Sequence, residues 1–226
     1  MFSNLFDDCP VSVIRDISLF HGTSRENIDK IVSEGFKSSS SEDNYLGAGV
    51  YFYDSEFFAI WWKFNSDSYL KGPIQKISVG VDLTDDELNE LIAAFQAQYG
   101  VIVAEMTDVS YLDMDNFKVK EMFNEVYENL YDICNTDKIF YTTVYDYLFE
   151  KMNFQDKYDM VVLTANLYKL TNKPNFRNKA PQALIPYRIY CLKNYEKIKT
   201  VSEYVINKKH MDTFIRFVTL RKTPSW

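Results

Sequence analysis

The chain has 226 residues, 46% hydrophobic and 16% aromatic, with a formal net charge of −7; it is long enough to bury a core and too apolar to be a disordered acidic tail. Its cysteines, Cys9, Cys134 and Cys191, are odd in number, widely spaced and without a Cys-x-x-Cys pair. That supports neither a zinc ribbon nor a disulfide framework and fits a reducing, cytoplasmic setting. No apolar run approaches the length of a membrane span, and the acidic N-terminal MFSNLFDDCPVSVIRD is unlike a signal peptide.

In chain order, DISLFHGTS reads as a buried strand ending at Gly22, and SRENIDKIVSEGF as a short helix. Ser24 is its expected N-cap, Ile28, Ile31 and Val32 its apolar face, and Gly35 its stop. KSSSSEDNY has the composition of a mobile loop. GAGVYFY is a strand entered through two glycines, and DSEFFAIWWKFNSDSYL a helix capped by Asp54 or Ser55. KGPIQKISVGVDL alternates like a strand, and Thr84 followed by Glu87 marks a capping box before the helix TDDELNELIAAFQAQYG. Residues 115–152 read as two helices parted at Asn135. YDMVVLTAN is a short central strand, NKPNFRNKAPQ a loop, and ALIPYRIYCL a strand whose Pro186 belongs at an edge or bulge. HMDTFIRFVTLRK suits a helix or a strand. Strands near both ends with helices between predict an α+β fold: one domain over residues 1–226, with 84–155 as an acidic, mostly helical insertion.

Charge is distributed unevenly. Residues 84–160 hold 5 basic and 17 acidic residues, a net −12, whereas residues 161–226 hold 13 and 3, a net +10. The two segments can neutralise each other within the fold, or the basic end can meet a polyanion.

His21 and Tyr51 are the candidate functional residues. Gly22 beside His21 lets a ligand approach the main chain, whose N–H and C=O can bind an amide. The imidazole next door can hold a sugar hydroxyl. Tyr51 follows Gly47 and Gly49, and its ring can meet a flat heterocycle; a pair of exposed aromatics clamps a cationic ring. An amide, a ribose and a cationic aromatic ring together describe the nicotinamide riboside half of NAD. Against this, a lone histidine is more often structural, and 17 Tyr and 17 Phe first of all build an aromatic core.

FHGTS, NIDKIVSEGF and LGAGVYFYDSEFFAIWW, in this order, cover about a fifth of the chain. They resemble the ADP-ribosyltransferase superfamily, in its diphtheria-toxin-like and poly(ADP-ribose) polymerase-like branch. The resemblance implies a split mixed or antiparallel sheet core, NAD as co-substrate and no metal. His21 would hold the ribose 2′-hydroxyl, and the Gly22 main chain the carboxamide. Thr23 or Ser24 would help at the adenosine side. Tyr51 would stack on nicotinamide, and Trp62, with Trp61 beside it, would be the second aromatic. Polymerase-like relatives often place a serine three residues before that aromatic; here the residue is Ala59. The family's third motif position, often Glu, falls at the start of PQALIPYRIYCLKNYEKIK, where no acid stands. Gln182 is its polar candidate, with Arg188 and Glu196 further along. Glutamine can bond the ribose hydroxyl but cannot act as a base or bear the charge that stabilises a cationic transition state. The departure speaks against chain elongation. It leaves single ADP-ribose transfer, or a catalytically inactive NAD- or ADP-ribose-binding module.

The expected activity is therefore mono-ADP-ribosyl transfer to a macromolecular target, with release of nicotinamide. The basic final third carries Tyr168, Phe176, Tyr187 and Tyr190 among its charges, a mixture that suits single-stranded nucleic acid. RNA is one acceptor class, as for toxins of bacterial toxin–antitoxin or anti-phage systems, and protein is the other. The acidic block then offers a docking place for an antitoxin or chaperone. An RNA 2′-phosphotransferase also uses NAD and starts from a His-Gly strand, but Tyr51 among its glycines fits a stacking site better.

Overall fold

Two long strands organise the chain. In this computed structural model, which describes residues 9–38, 46–66, 84–134, 141–167, 185–211 and 213–214, β1 (Ser12–Ser24) and β3 (Tyr99–Asp113) pair antiparallel from Ser12 opposite Tyr111 to Ser24 opposite Tyr99. The other edge of β3 is shared. β6 (Ile198–Tyr204) runs antiparallel along its first half, and β4 (Met160–Leu167) pairs in parallel with residues 111–113. β4 then pairs antiparallel with β5 (Ile185–Leu192), β5 with β2 (Val50–Tyr53), and β2 meets β1 at Phe20 opposite Tyr53. The circuit β1-β2-β5-β4-β3-β1 is closed, with β6 outside it.

Period-two alternation along these strands divides the apolar residues between the two faces of the sheet. Leu19, Phe52, Ile102, Met160 and Tyr190, one from each strand of the circuit, share a cluster with Ile28 and Phe36. Their neighbours on the opposite face, among them Tyr53, Val101, Val161 and Cys191, belong to a second cluster built with the helices. Those helices are α2 (Glu56–Ser66), α3 (Asp85–Gln98), α4 (Phe117–Cys134) and α5 (Tyr141–Asp146). Ile60, Phe95, Phe123 and Tyr145 are their buried contributions. The fold is α+β with a mixed, largely antiparallel sheet.

Local signals behave as their chemistry dictates. α1 (Arg25–Glu34) follows Ser24 and stops at Gly35, which has φ 81° and donates its N–H to Ile31 O. Ser24 occupies the N-cap position without a side-chain cap bond. Of the expected apolar face, Ile28 is buried and Ile31 packs on the cluster of Leu19 and Phe52, but Val32 points outward at 47% exposure. Ser55 caps α2, its hydroxyl accepting the Phe57 N–H at 3.2 Å. Thr84 and Glu87 form both bonds of a capping box on α3.

The expected acidic block at 84–155 is mostly helical, but its reading as an insertion is corrected. Its residues 99–113 are β3, which joins β1, β4 and β6. The strand is hidden from period analysis because Val101 and Ile102 are both buried, one against each cluster. Pro186 is accommodated as expected: it lies in the part of β5 beyond the end of β2, where β4 is the only neighbour among the described residues. Residues 208–211 are helical. The strand expected at 71–83 and the break at Asn135 lie outside the described residues, as do most of the serine-rich loop and the whole of the 172–182 loop. Among the described residues no helix is long and apolar enough to cross a membrane.

Candidate functional site

β1 and β2 form a single registered pair, Phe20 with Tyr53. Carried onward, that register would set Gly22 opposite Tyr51 and Thr23 opposite Val50. Instead β1 continues along β3, and β2 along β5. A cavity of about 930 Å³ lies at this parting, bordered by His21, Gly22 and Thr23 of β1 and by Val50, Tyr51 and Tyr53 of β2. Trp62 and Lys63 of α2, Asn27 and Lys30 of α1, and Leu163, Tyr187 and Ile189 also border it.

His21 Nδ1 lies 2.8 Å from Tyr51 O, so the imidazole bridges the two strands where main-chain pairing stops. Its ring packs edge-on against Phe36 and at a tilt against Phe52, with centroids 5.3 and 5.7 Å apart. Burial lowers its pKa to about 4, the bond to the Tyr51 carbonyl opposes this, and Lys63 adds to the lowering. The ring is therefore neutral at pH 7. Because Nδ1 donates to a carbonyl, Nε2 is the lone-pair acceptor.

Tyr51 is fixed at both ends. Its carbonyl holds His21, and its hydroxyl accepts the Leu46 N–H at 2.6 Å and donates to Gly47 O at 3.0 Å. Burial, with Cys191 adjacent, raises the phenol pKa far above its usual value. The hydroxyl is thus committed to the turn before β2, and the ring is what it offers the cavity. The two side chains leave their strands on opposite faces, His21 beside Phe36 and Phe52 and Tyr51 on the cluster built with the helices. Both border the same cavity because the strands diverge between them.

The space over Gly22 is taken by the protein itself. A Cβ there would overlap the Ala59 carbonyl oxygen of α2 and lie 3.0 Å from Lys63 Cγ. The expectation that this glycine leaves room for a ligand is corrected on that side: it admits α2. Thr23 is buried at the cavity wall, and Ser24 Oγ is buried without a partner among the described residues. Trp62 borders the cavity and is 47% exposed, whereas Trp61 packs edge-on against Tyr187 at 6.2 Å. Gln182 lies outside the described residues. Arg188 and Glu196 are exposed and are not among the residues that border the cavity.

Sequence reasoning passed over the cations. Lys30, Lys37 and Lys63 line the cavity against, among the described residues, a single carboxylate, Glu34, which is paired with Lys37 at 2.9 Å. The spacing of Asn27, Lys30, Ile31 and Glu34 on one face of α1 was the available signal. Tyr53, also missed, is a buried ring on the cavity wall 6.2 Å from Tyr187. Together the walls offer a neutral imidazole acceptor, stacking rings and an excess of positive charge.

No protein-family model matches the chain. It is similar to an uncharacterized protein of Methanocaldococcus jannaschii, 22% identical over 227 residues, an alignment covering 91% of this chain and 95% of the relative.

Proposed function

We propose that the protein is an NAD-dependent mono-ADP-ribosyltransferase with the split-sheet fold of that superfamily. The observation that carries the proposal is the convergence of His21, Gly22 and Tyr51 on one cavity at the point where β1 and β2 part. His21 Nε2 accepts a hydrogen bond from a ribose hydroxyl, and its neutrality keeps a positive charge away from the anomeric centre as that centre becomes cationic. Tyr51 and Trp62 present rings to nicotinamide. Lys30, Lys37 and Lys63 offset the charge of the diphosphate. The bond between ribose C1 and the nicotinamide nitrogen breaks, and its electron pair leaves with neutral nicotinamide. A nucleophilic atom of the acceptor forms the new bond to C1 and releases its proton to water. Positioning supplies most of the acceleration.

A second reading has an observation in its favour. The only carboxylate among the described residues bordering the cavity is Glu34, and it is held by Lys37. That suits a module which binds NAD or ADP-ribose without cleaving it.

One experiment separates the two. The purified chain is incubated with NAD and free nicotinamide is measured by chromatography, beside binding measured by calorimetry. Turnover that His21→Ala and Tyr51→Ala both abolish supports the transferase. Binding without nicotinamide release supports the module, and neither binding nor release overturns both. Label transfer from adenylate-labelled NAD to RNA or to protein then identifies the acceptor class.

A further inference from the structure

The turn before β2 is irregular, with Gly47 at φ 76°, and side chains from elsewhere in the chain hold it. Lys193, just past β5, donates from Nζ to Leu46 O at 2.8 Å and also to Ala48 O. Asp146, the last residue of α5, accepts the Ala48 N–H on Oδ1 at 3.0 Å. Tyr51 takes the Leu46 N–H and the Gly47 carbonyl. Five main-chain groups of three consecutive residues are thus bonded to three side chains. The packing leaves no slack. A Cβ on Gly47 would lie 2.7 Å from Asp146 Oδ1 and 3.2 Å from Lys193 Nζ, and one on Gly49 would lie 2.6 Å from Cys191 Sγ. Lys193 makes no ion pair among the described residues, and its ammonium sits over the Phe149 ring, 5.0 Å from the centroid.

We propose that Lys193, backed by Asp146, is a positioning residue that sets the ring of Tyr51 in the cavity. Lys193 fixes the carbonyls of Leu46 and Ala48, these fix the turn, and the turn holds the Tyr51 hydroxyl from both sides. A cation bonded to two carbonyls restrains two peptide units at once, which a neutral donor of one hydrogen cannot do. Asp146 extends the brace into the acidic segment, so the segment that supplies β3 also steadies the site. The functional part of this proposal rests on the cavity being an NAD site; the mechanical part does not.

The test uses the full chain with Lys193→Met and Lys193→Arg, and two readouts. The first is amide exchange followed by NMR. Lys193→Met should speed exchange at Leu46 and Ala48 by roughly tenfold or more, while the strand amides of Phe52 and Tyr190 stay within about twofold. Lys193→Arg, which can also reach two carbonyls, should restore protection. The second is NAD kinetics. A mobile Tyr51 ring weakens substrate and transition state alike, so Lys193→Met should raise KM for NAD about tenfold while kcat changes by less than about threefold. Unchanged exchange at Leu46 and Ala48, or loss of protection spread evenly over the sheet, overturns the proposal. So does altered exchange with an unaltered KM. If the wild-type chain neither binds nor cleaves NAD, the functional proposal fails by itself, and the exchange pattern alone decides whether Lys193 positions Tyr51.

Discussion

Replacing Gly22 by alanine tests why a glycine stands beside His21. The new methyl would fall 3.0 Å from Lys63 Cγ and 3.2 Å from the carbonyl carbon of Ala59, and closer still to its oxygen. Ordinary carbon–carbon contact is about 3.5–4.0 Å, so the α2 backbone has to withdraw by roughly 0.5–1 Å. The Lys63 stem can rotate, but the Ala59 carbonyl moves only with its helix. Overpacking of this kind costs about 1–3 kcal/mol, which for a chain of this size lowers Tm by about 3–10 °C. Gly100→Ala is the control: there a Cβ meets the Cδ1 tip of Ile28, a side-chain end that can turn away, so the loss should be smaller. Thermal unfolding followed by circular dichroism, with no ligand present, measures both. If Gly22→Ala unfolds at the wild-type temperature yet no longer binds NAD, the space over Gly22 serves a ligand, and helix packing is the wrong account.

Three further outcomes follow from particular contacts. The His21 ring, one of only two histidines, should titrate near pH 4 in proton NMR. Because its folded pKa lies below the unfolded value, its neutral burial stabilises the fold fully above about pH 6.5, and roughly 3 kcal/mol is lost as pH falls towards 4; a ring titrating at 6.5 refutes the burial argument. Burial acts to raise the Asp159 pKa, but donors from Ser110 and Asn194, with Lys197 nearby, outweigh it and hold the carboxyl below its ordinary value. Its contribution is therefore present above about pH 4 and lost in acid, and Asp159→Asn should cost about 2–3 kcal/mol at pH 7 in urea unfolding and flatten the acid limb; equal stability of variant and wild type at pH 7 would contradict this. Thr84→Ala removes the capping box of α3 and should cost about 1 kcal/mol by the same measurement, whereas Thr84→Ser should cost much less; identical losses would show that the hydroxyl is not the cap.

Much of the fold could be read from short stretches. Gly35 ends α1 and Ser55 and Thr84 begin their helices because each effect involves a few neighbours along the chain. β1, β2, β4 and β5 were found as apolar runs bounded by glycine, proline or polar residues. β3 was missed because adjacent residues such as Val101 and Ile102 are both buried, which erases the alternation that marks a strand with one wet face. β6 was missed for the opposite reason: Ile198–Tyr204 has only intermediate and exposed positions, pairs with β3 alone among the described residues and carries little apolar signal. At the site, His21, Tyr51 and Trp62 stood out through motif and spacing, and they border one cavity. Lys193 and Asp146 carried no local mark, since they act on a turn nearly 100 residues or more away.

The sequence by itself determined where helices start and stop, which residues are apolar enough for a core, and which imidazole and ring stand beside glycines. Tertiary structure decided that β3 closes the circuit of strands, that β1 and β2 separate after Phe20, and that Gly22 makes room for the Ala59 carbonyl. The division has a physical basis. Caps and glycine conformations are set by energies within one or two turns of chain, whereas strand pairing, cavities and close backbone approaches depend on surfaces brought together only when the whole core is buried.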